Sequence, residues 1–225
     1  MKNLSAERGP ALVEIPQDLW GEEVAPFDYR PPPKLRCGPD PESVRQAADL
    51  LLAAERPVIY AGQGVHWAKA WDELKRLAEL LAIPVCTSLE GKSAFDETHE
   101  LALGSGGLAV PATVNHFLKK ADLIFGIGCS FTETPFGVAM PAGTTIIHAT
   151  LDPADVNKHL ECRLALIGDA RLILAALIAQ IGGRRGAGDA DRSAVAAEIQ
   201  AVEKSWLAKW LPKLTSDQEP MTPYR

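Results

Sequence analysis

Between Pro57 and Ile181 the sequence alternates short, largely apolar runs with longer stretches of helical spacing, and the runs repeatedly stop at glycine or aspartate. Pro57-Val58-Ile59-Tyr60-Ala61 ends in Gly62-Gln63-Gly64, and Asp122-Leu123-Ile124-Phe125 runs into Gly126-Ile127-Gly128. Thr144 to Ala149 leads to Asp152-Pro153, and Cys162 to Ile167 leads to Gly168-Asp169. Shorter runs at Ile83 to Thr87 and Leu101 to Leu103 complete the set. Strands separated by helices must be joined by crossovers, and crossovers give a parallel sheet covered by helices on both faces.

The intervening stretches carry helical patterns. Val44, Ala47, Ala48, Leu51 and Leu52 mark a helix over 41–54, capped by Asp40 with Pro41 in its first turn. A single helix is expected after Gly64, its apolar face formed by Trp67, Trp71, Leu74, Leu77, Ala78 and Leu81. Further helices are expected from Pro111 to Lys120 and from Ala170 to Ile181, and Asp152-Pro153 opens a short one.

The flanks have another character. Gly9-Pro10-Ala11-Leu12-Val13-Glu14-Ile15-Pro16 reads as the closing strand of a domain that precedes it, since a lone strand cannot satisfy its backbone hydrogen bonds. Trp20 to Asp40 carries Pro26, Pro31, Pro32, Pro33, Gly38 and Pro39 and reads as an extended linker. Gly182 to Asp191 has linker composition. Beyond it Val195, Ile199, Val202, Trp206 and Trp210 form one apolar helical stripe, which is expected to self-associate or to dock on the body of the chain.

Composition narrows the partners. A net charge of −6 over 225 residues with no run of Lys or Arg argues against nucleic acid and against anionic membrane surfaces. The four cysteines, Cys37, Cys86, Cys129 and Cys162, form no C-x-x-C pair, so a zinc site is not expected and the thiols are expected to be reduced. No apolar run reaches the roughly 18 to 20 residues of a membrane span, and a polar stretch follows Met1; the cytoplasm is the expected compartment.

Three glycine turns could approach a phosphate. Gly62-x-Gly64 follows a strand and precedes a helix, although Trp67 stands where the full dinucleotide fingerprint wants a small residue. Gly104-Ser105-Gly106-Gly107 and Gly126-x-Gly128 with Ser130 are two further anion nests. Asp152 and Asp169 follow strands at the same edge, where a carboxylate either accepts from ribose hydroxyls or caps the next helix. No metal spacing links the five histidines, and no G-x-S-x-G elbow appears. Gly91-Lys92-Ser93 imitates the end of a phosphate loop, but Cys86 occupies the position of its first glycine.

Taken in order, Gly9 to Pro16, the Pro-rich linker, Arg56-Pro57-Val58-Ile59-Tyr60-Ala61-Gly62-Gln63-Gly64, Ile83-Pro84-Val85, Ala121-Asp122-Leu123-Ile124, Leu151-Asp152-Pro153-Ala154-Asp155 and Gly168-Asp169 resemble the thiamine diphosphate-dependent enzymes of the acetolactate synthase type. The resemblance covers about residues 9 to 183. It implies an α/β fold: a doubly wound, six-stranded, mostly parallel sheet of the Rossmann-like, DHS-like nucleotide-binding kind, with an extended N-terminal segment and a C-terminal helix. It implies the end of a pyrimidine-binding domain over 1–20, a linker over 21–38 and a central domain over 39–183. Residues 184–225 would then be a linker and helix leading toward a diphosphate-binding domain.

The family's activating glutamate and its motif for magnesium and diphosphate belong to the first and third domains. The resemblance therefore implies thiamine diphosphate and Mg2+ in a parent enzyme, a 2-oxo acid decarboxylase or carboligase, and no catalytic residue or metal ligand in this chain. The chain is expected to be inactive alone, with complementary pyrimidine- and diphosphate-binding domains and a homo-oligomer as its partners. Central domains of this type hold FAD, ADP or nothing. The nucleotide positions map onto Gly62, Gly64, Gly104, Gly106, Gly107, Gly128, Ser130, Asp152 and Asp169, but Ser130 and Thr134 stand in a loop where FAD-binding synthases carry arginines. The alternatives are a stand-alone FAD-, ADP- or NAD-binding module and, more remotely, an enzyme of the sirtuin kind, which would want paired zinc cysteines.

Overall fold

The computed structural model describes residues 12–30, 36–185 and 190–225. The chain divides into two units, Met1–Arg36 and Cys37–Arg225. In the first, Leu12 to Pro16 runs without strand pairing into a 3-10 turn, Gln17–Leu19, and Trp20 Nε1 donates to the Ile15 carbonyl at 3.2 Å. The strand expected at Leu12 to Ile15 is not formed, because the described residues of this unit offer it no second strand. Leu12, Val13, Ile15, Trp20 and Phe27 are exposed. Gly9 to Ala11 and Pro31 to Pro33 lie outside the described residues.

The second unit is built on six strands: β1 (Pro57–Ala61), β2 (Val85–Thr87), β3 (Ala102–Ser105), β4 (Leu123–Ile127), β5 (Thr145–Thr150) and β6 (Leu164–Ile167). Their order across the sheet is β3-β2-β1-β4-β5-β6, and every pairing is parallel. The α-helices among its described residues are α1 (Pro41–Ala53), α2 (Gly64–Ala68), α3 (Trp71–Leu81), α4 (Ala112–Lys120), α5 (Ala170–Arg185) and α6 (Ser193–Leu214).

Strand alternation sorts the core into two layers. Ile59, Ala61, Val85, Phe125, Ile127, Ile147, Ala149 and Leu166 face one way and bury against α1, α2, α3 and α5. Val58, Tyr60, Cys86, Ile124 and Ile146 face the other way, toward Val114, Phe117 and Leu118 of α4 and Ile199 of α6. Because both faces are covered, the central strands are apolar at nearly every position instead of at alternate ones.

Three helices differ from expectation, and of these α5 runs past Ile181 to Arg185, taking in Gly182 to Arg185 that read as linker. The one helix expected after Gly64 is two, because Lys69 adopts a left-handed conformation (φ 53°) and its amide turns back to Val65 and His66, closing α2. Leu74, Leu77 and Ala78 of α3 are buried as expected, whereas Trp67 and Trp71, at the break, remain 46% and 43% exposed. The stripe on α6 is also divided. Ala196 and Ile199 are buried and Val195 packs beside them, while Trp206, Leu207 and Leu211 are exposed.

An ionic cluster holds the buried half of α6. Glu198 accepts from Arg56 Nη2 at 2.9 Å and from His116 Nε2 at 2.7 Å, with Lys120 Nζ at 3.4 Å. Burial alone would raise the Glu198 pKa, but these donors overcome it and hold the carboxyl at about 2. No helix among the described residues is long and apolar enough to cross a membrane.

Candidate functional site

In a sheet whose strands all run one way, every strand ends at the same edge, and the crevice opens where successive connections depart in opposite directions. Here that point lies between β1 and β4. Gly62 and Gly64 follow β1 and Gly128 follows β4, so three of the glycines singled out by sequence meet there.

Their amides, however, point into the protein. Gly62 N donates to Ile127 O at 2.9 Å, Gly64 N to Gly128 O at 2.8 Å, and Gly128 N to Ala149 O at 2.8 Å. The room that these residues leave by lacking Cβ atoms is likewise filled. A Cβ on Gly62 would stand 2.4 Å from Gly128 O, and one on Gly64 would stand 2.7 Å from Gly128 Cα. Gly128 itself has a left-handed φ of 62°. The absence of side chains lets the two loops touch backbone to backbone.

The second turn sits over the end of β2. Gly104 belongs to β3, opposite Cys86, where the register slips by one residue. Gly106 N donates to Thr87 O at 2.7 Å, and a Cβ on Gly107 would meet the Leu89 side chain at 2.7 Å. Beside it lies a polar group that joins Ser105 and Lys92, each already within a glycine motif, to Thr87 and Glu97, which sequence reasoning missed. The hydroxyls of Thr87 and Ser105 are 2.8 Å apart, and Glu97 pairs with Lys92 Nζ at 2.6 Å. Both hydroxyls close strands at the edge where ligands bind, which is the signal that would have found them.

Ser130 donates through Oγ to Thr132 Oγ1 at 2.8 Å, folding the loop after β4 on itself. Asp152, exposed, accepts from Ala154 N at 2.9 Å and caps the 3-10 turn Pro153–Asp155. Asp169 is buried and accepts from Arg171 N at 3.1 Å at the start of α5, while its own amide donates to Cys37 O. Both carboxylates therefore act as helix caps.

Beneath the edge lies a buried aromatic group. His148 on β5 is 1% exposed, and its Nε2 donates to Cys129 O at 2.8 Å, since a carbonyl can only accept. Burial holds its pKa below the ordinary imidazole value. Among the described residues no group of three or more His, Cys, Asp or Glu could hold a metal ion.

The chain matches the family model "Thiamine pyrophosphate enzyme, central domain" over residues 44–177. It is 32% identical, over 96% of its length, to a probable acetolactate synthase large subunit of Methanocaldococcus jannaschii, of which it covers 37%. It is 34% identical, over 78% of its length, to the acetolactate synthase large subunit of Corynebacterium glutamicum, of which it covers 29%. The chain thus spans about a third of the length of these relatives. Its fold is similar to that of benzoylformate decarboxylase from Polynucleobacter necessarius, with a TM-score of 0.63 and 24% identity, over 79% of this chain and 33% of that one. A parallel six-stranded core with the family model laid across it from α1 to α5 assigns the chain to the thiamine pyrophosphate enzyme family, as an acetolactate synthase-like central domain.

Proposed function

We propose that this chain acts as the scaffold of a thiamine diphosphate-dependent 2-oxo acid decarboxylase or carboligase, whose cofactor, magnesium ion and catalytic groups are held by complementary pyrimidine- and diphosphate-binding domains. The observation that carries this reading is the match of the central-domain model across all six strands of the sheet. In this reading residues 1–20 are the end of the pyrimidine-binding domain, 21–38 a linker, 39–183 the central domain, and 184–225 lead toward the diphosphate-binding domain, although α5 runs on to Arg185 and the first half of α6 packs on the sheet. The exposed outer half of α6, with Trp206, Leu207 and Leu211, supports docking or self-association there.

FAD or ADP along the sheet edge is the second reading, favoured by the gathering of Gly62, Gly64, Gly104, Gly106, Gly107, Gly128, Ser130, Asp152 and Asp169 at one edge. Its fit is poor at the phosphate positions. The amides of Gly62, Gly64, Gly106 and Gly128 already donate to carbonyls, and Asp152 and Asp169 cap turns and helices. A diphosphate would have to break those bonds before gaining its own.

The test joins two measurements. The purified chain, given pyruvate, thiamine diphosphate and Mg2+, should release no CO2. The same chain placed between the pyrimidine- and diphosphate-binding domains of the Corynebacterium glutamicum relative should restore release. Turnover by the isolated chain, or none from the chimera when it folds and binds thiamine diphosphate, overturns the scaffold reading. A flavin absorption band or an adenine nucleotide released on denaturation would establish the second.

A further inference from the structure

We propose that the space filled by Phe131 is a binding slot for a flat, uncharged aromatic ring, and that Phe131 is its displaceable plug. Tyr60, Gly126 and His148 stand abreast on β1, β4 and β5, since Tyr60 is paired with Gly126 and Gly126 with His148. Their side chains project to the same face of the sheet. Two rings thus flank a residue that has no side chain, on strands about 10 Å apart counted across the middle one. The gap between them accepts one ring.

Phe131 fills that gap from the loop after β4. Its ring lies 5.7 Å from that of Tyr60, nearly parallel, and 4.9 Å from that of His148, edge to face. A Cβ on Gly126 would come within 2.3 Å of two Phe131 ring atoms and 2.8 Å of Cys129 Sγ. Glycine in a central strand weakens it, and here the missing side chain is the floor of the slot.

Three features make the plug removable. Phe131 has a left-handed φ of 46°, a conformation that bulky residues rarely adopt and that the surroundings must hold. Phe131 is half-buried, while Tyr60, Cys129 and His148 around it are buried, so Phe131 is the member of the group nearest the surface. Residues 129–144 contain no helix or strand, so the ring can leave without breaking the sheet.

The walls define the guest. Tyr60, Cys129 and His148 offer aromatic faces and a thiol and carry no charge at neutral pH, because burial disfavours ionisation of all three. The His148 Nε2 proton is already given to Cys129 O. Apolar slots of ring size stay dry and take aromatic guests, and stacked or edge-to-face contacts align them.

The test uses the full chain and indole as probe, followed by amide chemical shifts. Indole should shift the signals of Tyr60, Gly126 and His148 in the wild type saturably. Phe131→Ala should bind it at least tenfold more tightly, because the internal competitor is gone. Adding Gly126→Ala to that variant raises the slot floor and should reverse the gain by tenfold or more. The proposal is overturned if the folded wild type shows no saturable shifts up to the solubility of indole. Shifts centred elsewhere, or no tighter binding by Phe131→Ala, overturn it equally. Should Phe131→Ala not fold, Phe131→Leu, which leaves part of the slot empty, is held to the same criteria.

Discussion

Gly64→Ala sets two opposed energies against each other. Alanine is favoured over glycine by about 1 kcal/mol within a helix, and Gly64 is the first residue of α2. Against this, the new Cβ would lie 2.7 Å from Gly128 Cα and 3.0 Å from Gly128 O, both backbone atoms of a loop held by its own hydrogen bond to β5. Relieving the contact requires the loops to part by about 1 Å, an overpacking cost of about 1–3 kcal/mol. Parting also stretches the 2.8 Å bond from Gly64 N to Gly128 O, worth about 1 kcal/mol. The contact outweighs the propensity, and the net loss is about 1–3 kcal/mol. In a domain of this size that lowers the melting temperature by roughly 2–12 °C. Urea unfolding followed by far-UV circular dichroism should show a lower midpoint at an unchanged slope. A variant as stable as wild type, or more so, would refute the close packing of the β1 and β4 loops.

Other predictions follow from the same structure. Glu198 has a folded pKa of about 2, below its unfolded value near 4.5, so its ionic cluster contributes fully above pH 4.5 and is lost as pH falls toward 2. Glu198→Gln should therefore cost about 1 kcal/mol at pH 7, after allowing for solvent screening, and progressively less in acid, as read by urea titration at several pH values. Thiol titration should find Cys37, which is exposed, reacting first and Cys162 more slowly. Cys86, whose pKa burial pushes up to about 12, and Cys129 should react on unfolding alone, and rapid modification of all four would contradict the core. Asp169→Ala removes the acceptor at the start of α5 and should cost about 1–2 kcal/mol in thermal unfolding.

The strands were legible because apolar β-branched runs that stop at glycine or aspartate have few other uses. The ends of those runs were less so. Gly104 and Ser105 read as a turn yet extend β3, because a glycine carries no side-chain pattern to mark it as paired. The break at Lys69 was invisible for a related reason: a lysine in the left-handed region leaves no compositional trace. At the candidate site, the capping roles of Asp152 and Asp169 depend on neighbours two or three residues away and could be read locally. The partners of the Gly62, Gly64 and Gly128 amides could not, since they depend on which strand lies next to β1. Nothing in the sequence marks Phe131. Its place comes from Gly126 on the preceding strand, β4, and from Tyr60 and His148, which come to flank Gly126 only once the sheet has formed.

The strand order also makes the second unit a molecule of two halves. Three strands, β1 to β3, come from residues 57–105, and three, β4 to β6, from residues 123–167. Within the sheet the halves meet along one seam, the β1–β4 ladder from Pro57↔Leu123 to Ala61↔Ile127, tied at its upper end by Gly62, Gly64 and Gly128. A cut in the peptide chain between β3 and α4 would leave every strand, ladder and helix whole. The two pieces would then behave as complementary subunits, held together by one strand pairing and the helices packed across it.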